Sequence, residues 1–234
     1  MRFFQPILAG ATLTERLIAC LGATIGIALT IVVCAELPLA AADLPIIVAP
    51  LGASAVLVFA VPTSPLAQPW PVLGGNVIST LIGVAAFNHI PQVTIAAGVA
   101  VGMAILVMSL LRCLHPPGGA AALTAVIGSQ GIHAAGYGFA FAPVGINSVA
   151  LVSIAMFFHR ATARTYPHVH AVVPAAAGIA ATEQQAPGLH MADIDAALGD
   201  MHESFDISRE DLDALLALAE GHAATRMAAG RTPA

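Results

Sequence analysis

The sequence contains no lysine, and only 9% of its 234 residues carry a charge. An ordinary soluble domain carries about 25%. From Leu17 to Phe158 the only charges are Glu36, Asp43 and Arg112. A water-soluble fold needs charges along its whole surface, so a gap this long points to lipid as the solvent. The net charge of −5 arises after His159, where ten acidic residues meet five arginines. No basic stripe suggests a nucleic acid. Three cysteines, Cys20, Cys34 and Cys113, cannot close a disulfide framework and read as small buried hydrophobes. His159, His168 and His170 lack the cysteine or carboxylate that would complete a metal site, so neither metal nor cofactor is expected. G-x-S-x-G, Walker and G-x-G-x-x-G patterns are missing, as is any nucleophile–base set. An enzyme is therefore not expected.

What the chain has in abundance is apolar surface: 58% of residues are hydrophobic and the mean hydropathy is +0.88. A helix needs about 20 residues to cross a bilayer. Four segments approach that length: Leu17–Ala35, Val72–Ile90, Thr94–Leu111 and Pro143–Phe158. Two more, Ile46–Val61 and Pro116–Phe141, are apolar but interrupted by proline and glycine. The first run is longer than a signal-peptide core, so it reads as an uncleaved span although Ala40-Ala41-Ala42 follows it. The runs lack the alternation of barrel strands. The expected fold is an all-α polytopic membrane protein with four full-length spans, two interrupted segments, an internal two-fold repeat and a short cytoplasmic helical tail.

The repeat rests on paired motifs. Pro50-Leu51-Gly52-Ala53-Ser54 is echoed by Pro117-Gly118-Gly119-Ala120-Ala121. Pro71-Val72-Leu73-Gly74-Gly75-Asn76 is echoed by Pro143-Val144-Gly145-Ile146-Asn147, one residue shorter. If the interrupted segments cross the bilayer, the halves are inverted; if they are re-entrant, the halves are parallel. Six crossings put Arg2, Arg16, Arg112, Arg160 and Arg164 together on the cytoplasmic side, the arrangement favoured by the positive-inside rule. Both alternatives leave the two termini in the cytoplasm of a bacterial inner-membrane protein. Residues 1–165 form the membrane domain and 166–190 a Pro/Ala/Gln-rich linker. Residues 191–228 hold two short amphipathic helices, Met191–Met201 and one opening at Ser208, with Leu212, Leu215, Leu216 and Ala219 on its apolar face. These helices are too small for a core of their own.

The sharpest local feature is Leu114-His115-Pro116-Pro117-Gly118-Gly119-Ala120. Two prolines stop the preceding helix, and two glycines allow close backbone approach. The next helix, starting near Gly119, is expected to leave its first amides free, and helix N-termini bind anions. The break at Pro50, Gly52, Ala53 and Ser54 aims a second N-terminus at the same place. His115 is either a protonatable group on the pathway or a donor to a carbonyl freed by proline. Arg112 attracts anions or anchors a helix end. Asn76 and Asn147 line a polar path or pair between helices. Ser54, Ser79 and Thr124 are weaker candidates.

The stretch Leu114–Ala122, with Ala49–Leu57, Ser64–Pro69 and Gly74-Gly75-Asn76, resembles the HPP family of bacterial and plastid membrane proteins. The resemblance runs from about Arg16 to Pro167. It implies a transporter, since plant and cyanobacterial members are associated with nitrite. Some members continue into paired CBS domains, and the chain ends before that point, so such regulation is expected to be absent or supplied by another polypeptide. The leading expectation is a transporter or channel for a small inorganic anion, most plausibly nitrite. The alternative is a membrane anchor or sensor subunit acting through its tail. The expected partners are the lipid bilayer and the anion, with a homo-oligomer left open.

Overall fold

In the computed structural model, residues 13–36, 47–168, 207 and 209–229 are described. The chain divides into two units, Met1–His168 and Val169–Ala234. In the first unit, α1 (Leu13–Ala35), α3 (Pro69–His89), α4 (Val93–Leu110) and the segment Ala140–Ala161 are long and apolar enough to cross a membrane. The last of these is a π-helical turn, Ala140–Gly145, followed by α7 (Ile146–Ala161). Two shorter apolar helices, α2 (Pro50–Ala60) and α5 (Pro116–Ile127), lie between them, and α6 (Gln130–Ala135) follows α5. No strand occurs among the described residues. The chain is an all-α polytopic membrane protein.

Proline sets the helix starts. Pro50, Pro69 and Pro116 each open a helix, where a missing N–H costs nothing because the first turn has no intrahelical acceptor for it. This is why α3 begins at Pro69 rather than near Val72. The ends of α4 and α7 are closed differently. Arg112 and Ala163 adopt left-handed φ values of 54° and 56°. The next amides, Cys113 and Arg164, reach back to Met108 and His159 carbonyls at 2.8 Å. Both are Schellman stops made without the usual glycine.

Side-chain size sets the packing. The buried residues of α1 are Gly22, Gly26, Thr30 and Cys34; those of α4 are Ala96, Ala100, Ala104 and Met108. Each set repeats every four residues, giving one narrow inward stripe. The opposite faces carry exposed Leu17, Leu21, Leu29, Val99, Ile105 and Leu106, as lipid contact requires. Small residues let helix backbones approach closely where no hydrophobic drive separates helix from lipid.

The halves interleave. α3 packs chiefly on α5 and α4, and α7 on α1, with α2 touching both α1 and α7. Each half's third helix thus lies against the first two segments of the other half. Contacts fix the directions. Gly75 lies against His115 and Gly83 against Ala122 and Ala125, so α3 and α5 run parallel. Val48 bonds Asn147 and Val58 bonds His159, so α2 and α7 run parallel. Gly22 meets Phe158 while Cys34 meets Asn147, so α1 opposes α7. α3 and α7 meet where Asn76 bonds Ser148. From that meeting point α2 runs toward the His159 end and α5 toward the opposite end, where His133 stacks on Phe87 at 3.7 Å.

This register corrects the repeat by one residue. If Val48 corresponds to His115, as the two breaks require, then Asn147 corresponds to Gly75 and Ser148 to Asn76. That register needs no gap, since residues 71–76 then pair one for one with residues 143–148; the turn Ala140–Gly145, where Ala142 leaves helical geometry (φ −132°, ψ 112°) before Pro143, opens the second stretch.

In the second unit, α8 (Arg209–Ala229) carries Glu210 and Asp211 in its first turn, which complements the helix dipole. Residues 169–206, which hold nearly all of the expected linker and the helix Met191–Met201, lie outside the described residues, as do Ser208 and the Ala40–Ala42 stretch.

Candidate functional site

Three prolines in the α2–α3 connection strip carbonyls of their partners, and side chains from elsewhere replace them. Pro62 has no N–H for the carbonyl of Val58, Pro69 none for Leu66, and Pro71 none for Ala67. His159 Nε2 donates to Val58 at 2.9 Å, His115 Nδ1 to Leu66 at 2.8 Å, and the Tyr166 hydroxyl to Ala67 at 2.9 Å. Gln68 Nε2 donates to Pro62 and Ser64 carbonyls, both at 2.9 Å. In a low-dielectric interior an unpaired carbonyl is expensive, so these donors tie the connection to α5 and α7.

His115 also belongs to a second set of bonds. As the N-cap of α5 it has extended backbone (φ −139°, ψ 107°), the conformation a following proline imposes. Its Cβ rests where any side chain on Gly75 would stand. Its Nε2 lies 2.8 Å from Ser54 Oγ. Asn76 Nδ2 donates to Ser54 Oγ and to Ser148 Oγ, both at 3.3 Å, and Ser148 donates on to the Val144 carbonyl at 2.9 Å. His115, Ser54, Asn76, Ser79 and Ser148 are fully buried. Two atoms of this set, Asn76 Oδ1 and Ser79 Oγ, have no hydrogen-bond partner. The two residues lie three apart on α3, and Ser79 Oγ faces Gly118 of α5. Leaving each unpaired costs about 1–3 kcal/mol.

The structure brings His115, Pro117, Gly118, Ser54 and Asn76 together, with Pro50 offering its carbonyl to Ser54 at 3.4 Å. It separates the others. Gly52, Ala53, Pro116 and Ala120 face outward. Gly119 touches Val101 rather than the cluster. Arg112 is exposed at the end of α4. Asn147 serves a different contact, accepting from Val48 N at 3.1 Å and donating to Cys34 Sγ at 3.0 Å. Thr124 bonds back to Ala120.

The expectation of free amides at the helix starts does not hold. Prolines 116 and 117 have no N–H, and Gly118 N already donates to the His115 carbonyl at 2.8 Å. At the other break Leu51 and Gly52 donate to Val48 and Ala49, both at 3.0 Å. What the breaks present is side chains, backed by the positive ends of two helix dipoles. Ser148 is missed when the repeat is matched on its two asparagines; a gapless match of residues 71–76 to residues 143–148 points to it.

Two cavities lie outside this cluster. One, of about 750 Å³, is an apolar groove between α3 and α7, lined by Trp70, Leu73, Val77, Phe141 and Val149. The other, of about 770 Å³, is lined by Arg160, Arg164, Thr165 and Tyr166. Residues 47–168 contain no aspartate or glutamate, so these arginines have no carboxylate of that stretch to neutralise them. No cluster of metal-ligating side chains occurs among the described residues.

Spans arranged in two interleaved halves, with half-length helices starting at an uncharged polar centre, make a polytopic membrane protein whose architecture is consistent with a transporter or channel. Residues 9–167 match the family described as HPP, transmembrane region, and the chain belongs to that family. Two transmembrane proteins of Dictyostelium discoideum are similar. One is 34% identical over 131 residues, which is 54% of this chain and 46% of that protein. The other is 36% identical over 121 residues, 50% of this chain and 39% of that protein. The chain thus spans less than half the length of these relatives. No solved structure matches it.

Proposed function

We propose that this protein moves a small inorganic anion, with nitrite the leading candidate, across the membrane through the centre where α3 meets α7. The observation that carries the reading is the pair of buried, unpartnered polar atoms at this centre, Asn76 Oδ1 and Ser79 Oγ; among the described residues His159 Nδ1 is the other such side-chain atom. Natural interiors rarely leave such groups unsatisfied without a role. The charge pattern favours an anion. Residues 47–168 carry Arg112, Arg160 and Arg164 and no carboxylate, and the N-terminal ends of α2 and α5 bring positive dipole ends toward the centre. The cavity at Arg160 and Arg164 gathers anions at one end. Nitrite comes from the family association alone. By the positive-inside rule the end holding Arg16, Arg160 and Arg164 is cytoplasmic.

The test is uptake by proteoliposomes across nitrite, nitrate, formate and bicarbonate, with and without a pH gradient. His115→Ala is expected to cut nitrite flux at least tenfold while Asn88→Ala, at the far end of α3, leaves it unchanged. Equal flux in His115→Ala and the wild type removes the centre from the pathway.

A further inference from the structure

The two cavities outside the polar centre share a wall. The apolar groove and the basic cavity both reach Ser153. Along α7 the groove is lined by Ile146, Val149 and Ser153. The basic cavity continues with Ser153, Phe157, Arg160 and, just past the helix, Arg164. These positions recur every three or four residues, so they form one face of one helix. The left-handed turn at Ala163 ends α7 without ending the stripe: Arg164 N bonds back to the His159 carbonyl, and Arg164 stays on the cavity wall. The result is a single furrow whose character changes at Ser153. Toward Ile146 its lining is apolar, and toward the end of α7 it carries two guanidinium groups.

The furrow faces lipid and has the length of a lipid. Val149 is 51% and Phe157 77% exposed. Arg160 lies about 21 Å along α7 from Ile146. One leaflet with its headgroups is half of the bilayer's roughly 40–45 Å. The apolar stretch therefore lies at the depth of acyl chains when the arginines lie at the depth of phosphates. Trp70 stands on the groove wall and ties its indole N–H to the Leu111 carbonyl, an anchor suited to the level where tails meet headgroups. We propose that the furrow holds one anionic phospholipid, its phosphate on Arg160 and Arg164 and an acyl chain in the α3–α7 groove. Charge selects the head. Residues 47–168 carry no carboxylate, and Glu15, at the same end of the molecule on α1, does not line the cavity. A choline or ethanolamine head brings an ammonium that finds no partner there; an anionic head brings none. The inference goes beyond the transport reading and does not rest on it: whatever crosses the centre, the resident anion at this end is a lipid phosphate.

The chain has one tryptophan, and it lines the groove, so Trp70 fluorescence reports the occupant. The full chain is reconstituted in vesicles of dioleoyl phosphatidylcholine. Lipid with dibrominated chains, which quench tryptophan on contact, then replaces part of the ordinary lipid. One series uses dibrominated phosphatidylglycerol and the other dibrominated phosphatidylcholine. Two arginines at about fivefold each give phosphatidylglycerol an expected preference of about thirtyfold. Arg160→Gln together with Arg164→Gln abolishes the preference, and Arg160→Lys together with Arg164→Lys keeps it. Val149→Phe fills the groove, leaves the arginines in place and weakens phosphatidylglycerol binding as well. Val99→Phe, on the lipid face of α4, changes nothing. Equal quenching by the two lipids, a preference that survives the double glutamine variant, or one untouched by Val149→Phe overturns the proposal. A Trp70 that neither lipid quenches also overturns it, since a second copy of the chain then covers the groove.

Discussion

Gly83 is the position where the α3–α5 seam is tightest, and Gly83→Ala tests whether that seam holds the fold. A Cβ there collides with the Ala122 carbonyl oxygen and comes within 2.8 Å of Ala125 Cβ. Neither obstacle is a flexible side chain, so α5 itself must move. Overpacking of this kind costs about 1–3 kcal/mol, while alanine returns up to about 1 kcal/mol of helix propensity. The net expectation is a loss of up to about 3 kcal/mol. Gly98→Ala on α4 is the matched control, because nothing lies within 4 Å of its Cβ; only the propensity gain of up to about 1 kcal/mol remains. The propensity gain is common to both, so the two variants should differ by the overpacking cost, about 1–3 kcal/mol. For a chain of this size that is about 2–12 °C in melting temperature, with Gly83→Ala below Gly98→Ala. Thermal unfolding of the purified protein in one detergent reads this directly. Equal melting of the two variants would show that α5 yields freely along α3, and the seam could not then fix His115 against Gly75.

His159→Phe keeps the ring packed on Phe59 but strands the Val58 carbonyl, and should lower stability by about 1–3 kcal/mol; adding Pro62→Ala, which restores an N–H, should recover part of the loss in the same melting assay, and no recovery removes the proline explanation. Burial pushes the Tyr166 phenol above its ordinary value of 10.0. Its folded form therefore holds the proton longer than the unfolded chain does. The stability this contributes is complete below pH 10 and is lost as pH rises further. The wild type should accordingly lose melting temperature above pH 10 more steeply than Tyr166→Phe, and parallel curves contradict the assignment. Single cysteines at Arg112 and Gln130, in a cysteine-free background, flank α5 and should label from opposite sides of sealed vesicles with a charged maleimide; labelling from one side makes α5 re-entrant.

The spans and the two breaks were legible because lipid leaves a coarse signal. Apolar length identifies α1, α3, α4 and α7, and proline marks where α2 and α5 begin. The centre was half legible. His115 stood out as an ionisable residue beside a proline break, and the structure shows the carbonyl bond among its two alternatives: one ring nitrogen holds the Leu66 carbonyl, and the other meets Ser54. That carbonyl belongs to the opposite half of the chain, 49 residues away, a distance no local pattern spans. Asn147 misled because matching it to Asn76 skips one residue; aligned without a gap from Pro71 and Pro143, Ser148 stands in the corresponding place, and it bonds Asn76. The Schellman stops at Arg112 and Ala163 were hidden because neither carries glycine. The four-residue stripes of α1 and α4 were readable and are physically the more instructive signal. In a chain apolar on every face, hydrophobicity does not distinguish inside from outside, and size does. Small residues at every fourth position bring the backbones close, and that closeness seats Gly75 on His115 and lets a serine, a histidine and an asparagine meet without a charge among them.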